Sequence, residues 1–236
     1  MHHRISFLCA VVALATMTAS CSTPAIRTPL PASVYTASSE GPGDYWRGRM
    51  ATFDGEKSSI QPGGVVMVGD SLTERFPNLD QIFTDTQVLN RGIGGERIDH
   101  IATRIDSTIT AHNPERIFLL CGINDILYPV LTTEQRMENY SWLVAQLQTA
   151  APDATITLQT VLPTSRNWAG KNAEVLEFND FIRELALARN LPLIDLHPLF
   201  TDHQGELAAV YTNDGVHLNE AGYAVWAEAL LAASTP

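Results

Sequence analysis

Five short apolar runs, at 65–68, 87–89, 117–121, 156–162 and 193–196, alternate along this 236-residue chain with longer stretches of helical period. That alternation constrains the fold more than any other feature. Short apolar runs bounded by turn residues read as buried strands. Segment 97–111 places Ile98, Ile101, Ile105 and Ile109 on one helical face. Segment 133–150 does so with Met137, Tyr140, Leu143 and Leu147, and segment 174–189 with Val175, Phe178, Ile182 and Leu185. A first helix is expected near Tyr45 and Trp46, and Asn219 is placed to cap a last one carrying Tyr223, Trp226 and Leu230. Strands alternating with helices imply a mostly parallel sheet covered by helices on both faces.

The first run leads straight into Gly69-Asp70-Ser71-Leu72-Thr73-Glu74. Small residues at a strand end let a serine hydroxyl stand clear at the carboxyl edge of the sheet, where open α/β folds place ligands. By itself Ser71 reads equally as a helix cap and as a nucleophile. A nucleophile needs a base, and Asp214-Gly215-Val216-His217 supplies one. A spacing of three can bring both side chains to one side, although the same four residues also read as a surface turn. Two more motifs follow apolar runs: Asn90-Arg91-Gly92-Ile93-Gly94-Gly95-Glu96 and Gly122-Ile123-Asn124-Asp125. The glycines lack the third position of a dinucleotide fingerprint, since Arg97 stands there. Nor does Gly69-Asp70-Ser71-Leu72-Thr73 make a Gly-x-Ser-x-Gly elbow.

These four motifs, in this order, resemble those of the SGNH hydrolases, also called the GDSL esterase/lipase family. The resemblance spans roughly residues 45–231 and is nearest to the branch of platelet-activating-factor acetylhydrolase subunits and bacterial carbohydrate O-acetylesterases. It implies an α/β fold, a three-layer α/β/α sandwich with a five-stranded, mostly parallel, flavodoxin-like sheet. It implies ester hydrolysis through an acyl-enzyme, with Ser71 as nucleophile, His217 as base and Asp214 orienting it. It further implies an oxyanion hole of the Ser71 and Gly95 backbone N–H groups and the Asn124 amide. Gly95 rather than Gly94 follows from matching Ile93-Gly94-Gly95-Glu96 to the family's Ile-x-Gly-Asp/Glu pattern. No cofactor and no metal are expected. His197, His203, Asp195 and Asp202 lack a metal-binding spacing.

Around these motifs, Asp70 is expected to brace its loop as a hydrogen-bond acceptor. Arg91 or Arg97 is expected to pair with Asp70 or Glu96, and His100 and His112 to be exposed. Cys121, ending an apolar run, reads as a buried packing residue.

The start of the chain, with His2, His3 and Arg4 before a short apolar stretch, is too short to span a bilayer and reads as a secretory signal over 1–20. Thr18-Ala19-Ser20-Cys21 resembles a bacterial lipobox, which makes Cys21 the candidate lipidation site. Residues 21–43 read as a flexible tether and 44–236 as the hydrolase domain. The implied location is the cell envelope, with the membrane reached only through that lipid. The formal net charge of -11 disfavours nucleic acid as a partner.

The loop after the fourth run, 163–172, is expected to border the site. Its Thr164-Ser165-Arg166-Asn167-Trp168 is polar with one aromatic, which suits a sugar stacked on Trp168, while simple packing explains Trp168 equally well. The expected substrate is therefore a short-acyl ester of a glycan or another polar alcohol. A lysophospholipase or thioesterase on the same residues is the nearest rival. A non-catalytic glycan-binding lipoprotein is the rival of another class.

Overall fold

The structure, a computed structural model, describes residues 35–37 and 42–234. The expected signal segment, Cys9, Cys21 and most of the expected tether lie outside the described residues.

Five strands, β1 (Val65–Gly69), β2 (Val88–Gly92), β3 (Arg116–Leu120), β4 (Thr155–Gln159) and β5 (Leu193–Ile194), form one sheet in the order β2-β1-β3-β4-β5. Every neighbouring pair is parallel. The helices are α1 (Asp44–Glu56), α2 (Ser71–Glu74), α3 (Leu79–Ile82), α4 (Ile98–Ala102), α5 (Ile123–Leu127), α6 (Thr133–Ala150), α7 (Asn172–Ala188), α8 (His197–Phe200) and α9 (Glu220–Ser234). This is the expected three-layer sandwich. The chain leaves β1 toward β2 on one side and returns to β3 on the other. The strand order thus reverses between β1 and β3, and ligands in such sheets bind beside the carboxyl ends at that reversal. Ser71 follows β1, and Asn124 follows β3.

Alternation along the strands divides the apolar residues between two cores. Val66, Val68, Ile117, Leu119, Ile156 and Leu158 pack with the faces of α4, α6 and α7, including Ile101, Tyr140, Leu143, Phe178 and Ile182. Val65, Met67, Phe118 and Leu120 pack on the opposite face with Leu72, Phe76, Phe200, Trp226 and Leu230. Each large apolar side chain so buried contributes roughly 1.5–3 kcal/mol of transfer free energy. Cys121, just past β3, is a buried free thiol, and burial pushes its pKa well above the ordinary value.

The expected helix starts are met by local chemistry. Thr132 and Gln135 exchange hydrogen bonds in a capping box at the start of α6. Asn219 Oδ1 accepts the Gly222 N–H at 3.1 Å at the start of α9. The expected helix over 97–111 is instead interrupted. α4 ends at Ala102, and Ile105–Ile109 forms a separate π-helical turn. Between them Arg104 is fully buried, while Ile98, Ile101, Ile105 and Ile109 still pack into one core. Within the expected tether, Tyr35 packs against Trp142, the rings tilted with centroids 4.7 Å apart. Beside it, Thr36 exchanges two hydrogen bonds with the Asn139 amide.

Candidate active site

Ser71 opens α2 where the chain leaves β1, and its backbone N–H, at the first helical position, has no intrahelical acceptor. Asp70 caps this turn: its Oδ1 accepts the Leu72 N–H at 2.9 Å, as expected of a bracing residue. Complete burial raises the Asp70 carboxyl to about pH 7, against the opposing pull of the Leu72 N–H.

The second part comes from the far end of the chain. The loop before α9 is closed by an antiparallel bridge between Thr212 and Leu218. Inside it, Asp214 Oδ1 accepts the backbone N–H groups of Val216 and His217 at 2.9 and 2.8 Å. Asp214 Oδ2 lies 2.7 Å from His217 Nδ1, and His217 Nε2 lies 2.9 Å from Ser71 Oγ. Partial burial pushes the Asp214 pKa up, but the bonds from the His217 ring and from the two N–H groups outweigh it and hold the carboxyl at about 2. An ionised carboxylate there favours the His217 tautomer with its proton on Nδ1. That leaves the Nε2 lone pair facing the hydroxyl. Gly215 makes this loop possible. Its φ is +89°, and a Cβ would run into the Ser165 carbonyl. The Ser165 N–H in turn donates to the Gly215 carbonyl at 2.9 Å, so loop 163–172 supports the histidine loop from behind.

The third part is the turn after β2. Gly95 has φ +74°, and its N–H has no partner among the described residues. Asn124 donates one amide hydrogen to the Glu96 carbonyl at 3.0 Å. A primary amide carries two such hydrogens, so the other remains available. The Glu96 side chain is anchored below, completely buried, by an ion pair with Arg104 and by the Trp46 indole N–H at 2.7 Å. Arg104 also donates to the Arg91 carbonyl. The arginine expected beside Glu96 was Arg91 or Arg97, and it is Arg104. Arg91 faces α1 instead, pairing with Glu56 at 2.7 Å over the Phe53 ring, and Arg97 lies 3.5 Å from Asp99.

Ser71, Gly94, Gly95, Asn124 and His217 line one open cleft of about 560 Å³, with Tyr45, Glu74 and Arg75 completing its wall. The structure thus brings together Ser71, Asp214, His217, Gly95 and Asn124. It does not bring Trp168 there. That ring is half-buried against the core and meets Tyr128 edge-on at 5.4 Å. His100 and His112 are half-buried rather than exposed. His197 is buried and bonded to Thr160 and Thr201, and Asp195 pairs with Arg183. Among the described residues, no group of His, Cys, Asp or Glu is arranged to hold a metal ion.

Sequence reasoning missed Tyr45, Glu74 and Arg104. Glu74 carries the one available signal, since it lies one helical turn from Ser71 and so shares its face. Chemically, the cleft is lined by a hydroxyl, an imidazole held by a carboxylate, and residues from three separate segments that carry N–H groups. A proton can leave the hydroxyl for the imidazole, and an oxygen gaining negative charge can be received.

Comparison with known proteins gives the family and the fold. Residues 66–225 match the family described as GDSL-like lipase/acylhydrolase. The platelet-activating factor acetylhydrolase IB subunit alpha1 of Pongo abelii is 25% identical over 171 residues, covering 70% of this chain and 73% of its own length. A solved structure from Streptococcus pneumonia, named for platelet activating factor, superposes with a TM-score of 0.69 at 26% identity, over 79% of this chain and 91% of that one. The acetyl xylan esterase AlAXEase shares the fold, with a TM-score of 0.63 at 22% identity over 73% of this chain and 100% of its own.

Proposed function

This chain belongs to the GDSL-like lipase/acylhydrolase family, and from that premise we propose that it is a serine esterase acting through Ser71 on short-acyl esters of a glycan or another polar alcohol. The observation that carries the proposal is the unbroken line from Ser71 Oγ through the His217 ring to Asp214, at 2.9 and 2.7 Å.

In this reading His217 Nε2 takes the Ser71 proton as Oγ attacks the ester carbonyl. The Ser71 and Gly95 N–H groups and the free Asn124 amide hydrogen receive the oxyanion. Each such donor is typically worth about 3–4 kcal/mol of barrier. His217 then returns the proton to the leaving alcohol, and Asp214 stabilises the imidazolium formed between the two steps. Water hydrolyses the acyl-enzyme by the same route in reverse.

The wall of the cleft supports a small acyl group and a polar alcohol. Among the described residues that line it, the side chains come from Tyr45, Ser71, Glu74, Arg75, Asn124 and His217, and none of these is aliphatic. The acetylhydrolase name of the matched relatives favours an acetyl group as well. The assembled triad argues against a purely glycan-binding role. We also propose that the chain is exported and anchored by lipid at Cys21, with residues up to 43 linking anchor and domain. A Cys21→Ser variant that stays in the membrane fraction would reject the anchor.

Hydrolysis of p-nitrophenyl esters from acetate to palmitate tests the enzyme. Turnover confined to acetate and butyrate, and lower by about 10⁴-fold or more in Ser71→Ala, is expected. A preference for palmitate would give the site to a lysophospholipase or thioesterase. Wild-type rates in a folded Ser71→Ala protein would remove the nucleophile.

A further inference from the structure

Glu74 stands on the same face of α2 as Ser71, and its carboxylate is fully engaged. Oε2 accepts the Gly94 N–H at 2.6 Å. Oε1 accepts the Tyr45 hydroxyl at 2.6 Å and forms an ion pair with Arg49 Nε at 3.0 Å. Tyr45 and Arg49 both belong to α1, which precedes the stretch matched to the family. Arg49 is held in place by the Phe53 ring, 4.8 Å below its guanidinium.

The arrangement has two effects on the neighbouring donor. Of the two glycine N–H groups in the turn, Gly94 is already taken, and the bond fixes the Ile93–Gly94 peptide plane, one residue ahead of the Gly95 N–H. Only the Gly95 N–H is left to face the cleft. A carboxylate at this place also carries a liability, because a negative charge beside a forming oxyanion raises the barrier. Arg49 is positioned to neutralise it.

We propose that Glu74 is a positioning residue that sets the oxyanion turn through Gly94, and that Arg49 on α1 offsets the charge this device brings to the cleft. The inference rests on the serine-esterase reading and extends it. It makes α1 part of the active site. It also separates two jobs of one side chain, geometry and charge, that different substitutions can take apart.

The test is kcat and KM for p-nitrophenyl acetate with the full chain and variants Glu74→Ala, Glu74→Gln, Arg49→Met and the double Arg49→Met/Glu74→Gln. Glu74→Ala frees Gly94 and is expected to lower kcat by about 10-fold or more with KM changed little, as for a partial loss of an oxyanion donor. Glu74→Gln keeps an acceptor for Gly94 and falls by less. Arg49→Met leaves the carboxylate uncompensated and is expected to lower kcat by about 10-fold. Adding Glu74→Gln to Arg49→Met is expected to raise kcat again, a recovery that loss of packing alone does not produce. A double variant no better than Arg49→Met overturns the charge role, and wild-type kcat in Glu74→Ala overturns the positioning role. Ser71→Ala is assayed alongside. Turnover lost in Ser71→Ala but untouched by the other variants sinks this inference alone, whereas turnover that survives Ser71→Ala sinks the esterase reading with it.

Discussion

Asn124 is bonded to the main chain of Glu96, 3.0 Å away, so the amide that follows β3 is steered by the turn that follows β2. Two arms of the proposed oxyanion hole are therefore one mechanical unit, fastened below by the buried Glu96–Arg104 pair.

The amide itself should matter only when the oxyanion forms. Asn124→Ala is expected to lower kcat by about 10²–10³-fold with little change in KM, since its bond strengthens in the transition state. Steady-state kinetics on p-nitrophenyl acetate decide this, and a pure KM effect would contradict the role.

The fastening is a buried charge pair, so removing half of it should be costly. Arg104→Met leaves Glu96 buried without its partner and is expected to destabilise the fold by about 3–5 kcal/mol, measured by urea unfolding. The double variant Arg104→Met/Glu96→Gln should recover part of that loss. Equal losses in the single and double variants would mean that the charge is not what hurts.

Asp214 links the site to pH. Its pKa of about 2 lies below the ~3.9 of an unfolded aspartate, so the folded state binds the proton less readily. The stability it contributes is complete above about pH 5 and is lost as pH falls toward 2. Asp214→Asn lacks that contribution. The melting-temperature gap between wild type and variant should hold steady above about pH 5 and close between about 4 and 2. At neutral pH the same variant is expected to lose at least about 10²-fold in kcat, because its amide no longer enforces the His217 tautomer.

Gly215 tests the loop that carries His217. An alanine there must take a left-handed conformation, costing about 1–2 kcal/mol before any collision with the Ser165 carbonyl. Gly215→Ala should therefore lower the melting temperature and kcat together, by shifting His217 away from Ser71. A stable protein with unchanged kcat would show that the Ser165 support is dispensable.

The fold was legible because strand and helix patterns depend on near neighbours. Val65 to Val68 could hardly be anything but a buried strand, and the Thr132–Gln135 box and the Asn219 cap are written in four-residue windows. Ser71, Gly95, Asn124 and the Asp214–His217 pair were named through the resemblance of four motifs, three after strands and one in the last loop. What escaped depends on tertiary packing. Arg104 sits in a run of isoleucines that reads as an uninterrupted helix, and its buried contact with Glu96, made at the break, leaves no local signal. Tyr45 reaches Glu74 across a gap that no local pattern spans. Trp168 satisfied the composition of a sugar platform, yet its ring lies against Tyr128 and is not among the residues that line the cleft.

Cys121 sits behind all this, at the end of the central strand and three residues before Asn124, without exposed surface to speak of. Apart from Cys9 and Cys21, it is the chain's only thiol. A chain starting at residue 22 thus carries a built-in reporter. A thiol reagent can reach it only when β3 opens, so its rate of labelling clocks how often the floor beneath the oxyanion hole comes apart.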